Sequence, residues 1–374
     1  MLNVLPVIPF VFLAFWCATV SPIPMTEVAA AQEENVSVNV AIRNITMIAD
    51  DDTITRVAPD NQLHPGGVEF KTMTFNGTVP GPVLKFNEGE LVRFTLINNG
   101  DIVHSLNLHG ITGPSQALSG PVRPGENKTW LVRVNPEAPS VFMYHCDGDN
   151  LNGVWEHVAS GMYGGMIVSP AFYNKQNQAT KEFFIIFSEV YNSADKGLFK
   201  GTSGVIGSFD IDKFVEGKPD LILTNGMAYK YIPWIGTIAK YSLNNESELF
   251  QVKPNELTRW NIINAGPRKT INFNFAAAMI DVIYPSLLHH PTSRNTKLDN
   301  FANSTYEINS VQGHSDIDSL MYLVSIPPGS GVIIEAIFPE EGFYFGNDHD
   351  LASLLYGSGF VVSAVDNHTS VRRK

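Results

Sequence analysis

Leu91-Val92-Arg93-Phe94-Thr95-Leu96-Ile97-Asn98-Asn99 places apolar Val92, Phe94 and Leu96 two residues apart, with polar Arg93 and Thr95 between them. A strand turns successive side chains to opposite faces, so this spacing describes a strand with one face in a core and one in water. Val36, Val38, Val40 and Ile42 repeat the pattern upstream. Similar runs return at Trp130 to Val134, Glu182 to Phe187, Leu249 to Val252 and Gly331 to Phe338, punctuated by Gly, Pro and Asn. Helical periodicity is scarce, and Met279 to Leu288 is the stretch that reads least like a strand. The expected fold is all-β, built from antiparallel sandwiches.

The same grammar occurs twice. An Asn-Gly turn at Phe75-Asn76-Gly77 precedes the stretch quoted above, and Thr224-Asn225-Gly226 precedes Leu257 to Asn264 in the same way. Each copy closes on a Gly-rich segment and an apolar strand, at Gly161 to Val168 and at Gly357 to Val362. A chain of 374 residues has room for two such units, and duplication of one sandwich is the simplest account. The domains are expected at 36–170 and 182–366, joined near Ser169 to Lys181. Residues 285–320, rich in Asn and Ser, read as a long polar loop inserted in the second.

A net charge of −12, from 37 acidic against 25 basic residues, excludes a nucleic-acid binder, which needs a basic footprint. Residues 2–26 carry no charge, and Leu5 to Val20 form an apolar run ahead of Ala29-Ala30-Ala31. Residues 1–31 are therefore expected to be a signal peptide, or an uncleaved anchor, and the protein to work outside the cytoplasm. Cys17 lies in that leader, so the mature chain keeps Cys146 alone, which rules out a disulfide framework. Seven Asn-X-Ser/Thr sequons suit a glycosylated surface, at Asn35, Asn44, Asn76, Asn127, Asn245, Asn303 and Asn367.

Val103-His104-Ser105-Leu106-Asn107-Leu108-His109-Gly110 and Phe142-Met143-Tyr144-His145-Cys146 hold three of the 10 histidines and the mature cysteine. On strands, His104 and His109 face opposite ways, and so do His145 and Cys146. Two neighbouring strands thus pair His104 with Cys146 toward the core and His109 with His145 outward. Trp155-Glu156-His157-Val158-Ala159-Ser160-Gly161-Met162 then supplies a second imidazole and a thioether, with Met166 a poorer axial candidate. A thiolate, two imidazoles and a weak thioether make the ligand set of a blue-copper site. A core cysteine among satisfied histidines is the plainer account, but it leaves the order His, Cys, His, Met unexplained. The outer pair offers nitrogen only, which suits a type 2 copper or zinc with an open position. His349, in Gly346-Asn347-Asp348-His349-Asp350, is the best candidate for its third donor.

Several of these segments together resemble the copper-containing nitrite reductases and related two-domain multicopper oxidases, over nearly the whole mature chain. They are Asn76-Gly77 with Pro80-Gly81-Pro82, His104 to His109, His145-Cys146, Ser160-Gly161-Met162, and His349 followed by Gly357. The resemblance implies two Greek-key cupredoxin-type sandwiches in tandem and a homotrimer. It implies type 1 copper on His104, Cys146, His157 and Met162, and type 2 copper on His109, His145 and a neighbouring subunit's His349. Electrons would come from a small donor protein, a cupredoxin or cytochrome, and cross from Cys146 to His145.

The sequence also departs from that family. The family's catalytic aspartate, three residues after the first copper histidine, is Asn107 here, an amide with no proton to give near neutral pH. Its catalytic histidine has no counterpart between His157 and His289, where Met279 or a neighbour aligns, although His289, His290 or His314 could return on the inserted loop. A trinuclear oxygen-reducing cluster needs His-X-His pairs, of which there are none, and Asp147 follows Cys146. The competing expectations are an enzyme acting on nitrite or another small nitrogen or oxygen species, a two-domain oxidase, an electron-transfer or copper-handling protein, and a structural envelope protein.

Overall fold

The computed structural model describes residues 41–366 apart from 62, 112, 135–139, 150, 170–178, 195–205, 236–240, 243–247, 277 and 286–322. The leader, Val36 to Val40, most of the joining segment, and His289, His290 and His314 lie outside the described residues. So do the sequons at Asn35, Asn245, Asn303 and Asn367. Among the described residues no helix is long and apolar enough to cross a membrane.

The first sandwich consists of β1 (Ile42–Ala58), β2 (Val68–Phe75), β3 (Leu84–Asn87), β4 (Leu91–Asn98), β5 (Asn107–Leu108), β6 (Asn127–Arg133), β7 (Val141–His145) and β8 (Tyr163–Ser169). One sheet is ordered β2-β1-β4-β6 and the other β3-β8-β7-β5. Along β4 the expected alternation holds: Val92, Phe94 and Leu96 are buried and Arg93 is exposed. Such a half-buried strand is what a two-layer sandwich requires.

β9 (Lys181–Val190) opens the second sandwich, while β10 (Ile206–Gly207) runs back to pair with β2 at the edge of the first. Next come β11 (Leu221–Thr224), a ribbon of β12 (Trp234–Ile235) and β13 (Tyr241–Ser242), β14 (Phe250–Val252), β15 (Leu257–Asn264) and β16 (Ile271–Phe275). β17 (Met279–Pro285), β18 (Val324–Ile326), β19 (Ser330–Ile337), β20 (Gly342–Asp348) and β21 (Phe360–Ala364) complete it. Its sheets are ordered β11-β9-β15-β19-β17 and β14-β21-β20-β16-β18. Met279 to Pro285, the least strand-like text, is a strand because it pairs along β19. Tertiary pairing decides what a weak local preference leaves open.

The duplication is visible bond by bond. β1 lies parallel to β4 as β9 does to β15, and β3 lies parallel to β8 as β14 does to β21. Asn76 and Asn225 take φ of 57° and 49°, and Gly77 and Gly226 follow at 73° and 83°. That left-handed pair is the geometry Asn-Gly is chosen for. Asn76 Oδ1 accepts from the Ile48 N–H at 2.7 Å, and Asn225 Oδ1 from the Ile186 N–H at 2.8 Å. The strand-end residues Asn98 and Asn264 repeat a second device. Asn98 Nδ2 donates to the Ile102 and Val122 carbonyls, Asn264 Nδ2 to those of Lys269 and Ile326. Each side-chain oxygen accepts a glycine N–H two residues on, from Gly100 and Gly266.

Val141, Met143, Tyr163 and Ile167 from β7 and β8 pack against Ile186, Ile263 and Ile333 of the second sandwich. Gly165 sits in this seam, where a Cβ would run into the Phe184 ring. Val158, next to His157, and Met143, two residues before His145, belong to this seam.

Candidate metal centre

β5 pairs with β7 through Asn107 opposite His145 and Leu108 opposite Tyr144, which places the two histidine segments side by side. α1 (Val154–Ala159) presents His157, and Gly161, at φ 111°, returns the chain to β8. Cys146 Sγ lies 3.1 Å from His157 Nδ1 and 3.7 Å from His104 Nδ1. Among the described residues, His104, Cys146 and His157 are the one group of three or more His, Cys, Asp or Glu side chains near enough to share an ion. All three are buried. Met162 is fully buried, its N–H donating to the His157 carbonyl and its own carbonyl accepting from the Cys146 N–H at 3.1 Å. Met166, the poorer candidate, is buried in the same core.

The Cys146 sulfur accepts from the Ser105 and Gly148 N–H groups at 3.2 and 3.3 Å. Burial outweighs these bonds and pushes the thiol up to about 11. Burial, then the neighbouring His104, draws His157 down to about 4, and burial lowers His104 as well. At neutral pH the trio, taken by itself, is one thiol and two neutral imidazoles in a buried pocket. His104 Nε2 lies 3.4 Å from Asp51 Oδ2, which leaves Nδ1 to face the sulfur. One soft sulfur and two imidazole nitrogens, all buried and converging, fit copper.

The outer pair is also assembled. His109 and His145 meet Nε2 to Nε2 at 2.9 Å with their rings 85° apart. His109 Nδ1 donates to the Gly329 carbonyl at 3.2 Å, and His145 Nδ1 to the Cys146 carbonyl at 3.2 Å. With both Nδ1 atoms protonated, the two Nε2 lone pairs face each other, which a cation relieves. Burial, and then His145, draws His109 down to about 4, so its lone pair stays free at neutral pH. A cavity of about 240 Å³ opens over the pair, lined by Met143, Trp155, Val158, Pro267 and Pro328. Gly329 and the proline residues come from the second sandwich, so both halves build it.

His349 stands exposed just beyond β20, its N–H donating to the Asn272 carbonyl at 2.7 Å, and does not join His109 and His145 within the chain. Asn107 donates through Nδ2 to Asp147 Oδ2 at 2.9 Å. Asp147 is the residue sequence reasoning passed over as a partner of the pair, although its place directly after Cys146 was the available signal. At the corresponding end of β20, the described residues of the second sandwich gather no ligand set. Lys269 lies 3.0 Å from Asp348, which also accepts from Ser353 Oγ at 2.9 Å.

Residues 56–172 match the multicopper oxidase family model. The chain is similar to multicopper oxidases and copper-containing nitrite reductases. It is 25% identical over 288 residues to the copper-containing nitrite reductase of Neisseria gonorrhoeae, covering 76% of this chain and 60% of that one. The chain thus spans about three fifths of that curated relative. A 114-residue stretch, 29% of this chain and 28% of the other, is 39% identical to the Alcaligenes faecalis copper-containing nitrite reductase. Among solved structures, the copper nitrite reductase of Nitrosomonas europaea superposes with a TM-score of 0.64 at 27% identity, over 87% of this chain and 95% of that one. A multicopper oxidase does so at 0.60 and 19% identity, over 87% and 89%, which speaks for the fold. The architecture is that of two-domain cupredoxin-fold copper proteins, as the sequence led one to expect.

Proposed function

We propose that the protein is an exported copper oxidoreductase of the nitrite reductase type. Type 1 copper belongs on His104, Cys146, His157 and Met162, and type 2 copper on His109, His145 and His349 of a neighbouring subunit in a homotrimer. The domains run over 36–170 and 182–366. The observation that carries the proposal is the adjacency of His145 and Cys146, one in each donor set. Copper would supply one-electron chemistry. The peptide link between the two residues gives a short covalent path from a docked donor protein to the outer pair. Reduction of nitrite to nitric oxide and water takes one electron and two protons. The outer pair binds and orients, and its apolar cavity walls limit water around the reacting group. Asn107 has no proton to deliver, so the substrate is either nitrite with protons from solvent or another small nitrogen or oxygen species.

The experiment is an anaerobic assay of copper-loaded protein with a reduced donor, reading nitric oxide, hydroxylamine loss and oxygen uptake. Nitric oxide from nitrite supports the proposal. Absence of all three turnovers overturns the enzyme. Oxygen uptake alone moves the function to the oxidase relatives, and one copper per chain to an electron carrier.

A further inference from the structure

We propose that Asp147 is a positioning residue for the outer histidine pair, fixing the tautomer of His145, with Asn107 as the second arm of the clamp. The inference rests on reading that pair as an ion site. Asp147 is 5% exposed. Its N–H donates to Ser105 Oγ at 3.0 Å, which sets the side chain beside β7. One carboxylate oxygen, Oδ2, takes the Asn107 amide at 2.9 Å. The other, Oδ1, lies 3.1 Å from His145 Nδ1 but has no well-aligned donor among the described residues. The His145 ring hydrogen points instead at the Cys146 carbonyl, 3.2 Å away.

Two acceptors therefore face Nδ1, a backbone carbonyl and a buried carboxylate oxygen. A bare Nδ1 would oppose its lone pair to both, so the proton is held there and the Nε2 lone pair is kept toward His109. Asp147 Oδ1, at 3.1 Å, is already within hydrogen-bonding distance of His145 Nδ1. The clamp also accounts for the amide at position 107. Only a donor can steady Oδ2 of a buried carboxylate, and a second carboxylate there would repel it. Asn107 and Asp147 thus form one unit, in which the amide serves the carboxylate and the carboxylate serves the imidazole.

The test titrates zinc alone into the full chain with cuprous ion already in the inner trio, and reads histidine ring nitrogens by ¹⁵N spectroscopy. Asp147→Ala is expected to weaken zinc about 10- to 100-fold, the range for loss of such an outer partner, and to give His145 mixed tautomers. Asp147→Asn, which keeps the volume, is expected to fall between, and Asn107→Ala to lose several-fold. Blue absorption on oxidation reports an intact fold in each. Unchanged zinc affinity with an unchanged His145 spectrum in both Asp147 variants overturns the proposal. If wild-type protein takes up no zinc, the ion-site reading falls, and the nitrogen spectrum alone decides whether Asp147 holds the ring.

Discussion

The Gly329 carbonyl accepts the Nδ1–H of His109 at 3.2 Å, so a backbone atom of the second sandwich fixes the tautomer of a ligand candidate in the first. Gly329 is in turn held through its N–H by the Asn264 carbonyl at 2.8 Å. The outer pair therefore depends on how the second sandwich is locked together.

Asn264→Ala leaves the Lys269 and Ile326 carbonyls and the Gly266 N–H without their partner. We expect a loss of about 2–4 kcal/mol in urea unfolding, together with weaker ion binding at His109 and His145. Asn98→Ala, its duplicate, is expected to cost about as much but to perturb the blue site instead, because Val122 pairs with His104. Equal effects on both sites from both variants would contradict this division.

Cys146→Ser is expected to abolish blue absorption and donor-driven turnover while the outer ion remains. His109→Ala should do the reverse, removing the type 2 resonance signal and leaving the colour. Swapped phenotypes would mean that the inner and outer sets are misassigned.

Without an ion the inner trio binds one proton that it cannot keep once an ion is bound. Cys146 is held at about 11 and His157 at about 4, so between roughly pH 5 and 10 the thiol is protonated and that imidazole is not. Ion uptake must release the thiol proton, and affinity is expected to rise about tenfold per pH unit across that window. A pH-indicator titration showing no proton release at pH 7 would refute it.

Asn107→Asp puts two carboxylates in contact, since the amide now sits 2.9 Å from Asp147 Oδ2. The shared proton raises a folded-state pKa above the unfolded value near 4. Stability is then fully retained below about pH 4 and lost as pH rises through the raised value. The double variant Asn107→Asp with Asp147→Asn should recover it. Nitrite turnover measured in that double variant tests whether a carboxylate at position 107 restores proton delivery.

Gly165→Ala is expected to cost about 1–3 kcal/mol, by driving a methyl group into Phe184 at the seam between the sandwiches. Thermal unfolding measures it, and an unshifted midpoint would show that the seam can give.

Much of this was legible in one chain of letters. Val92, Phe94 and Leu96 announced a strand because alternation is a local property, and the two Asn-Gly turns announced the duplication because φ above zero restricts the choice of residue. The convergence of His104, Cys146 and His157 was read from their order and spacing, although His104 and Cys146 lie just outside β5 and β7 and His157 sits on α1. What stayed hidden was non-local. Nothing near His109 pointed to Gly329, 220 residues away. Asp147 was in plain view, but its role depends on a side-chain direction that spacing alone does not encode. Met279 to Pro285 became a strand through its neighbour β19.

The Lys269, Asp348 and Ser353 cluster gives the second sandwich a plug made of its own side chains where the first has a nest of ligands. Among the described residues, one copy of the repeated unit closes this end on its own side chains, and the other gathers ligand candidates there. The half that closes on its own ion pair thus lends the other a fixed wall, through the Gly329 carbonyl set against His109.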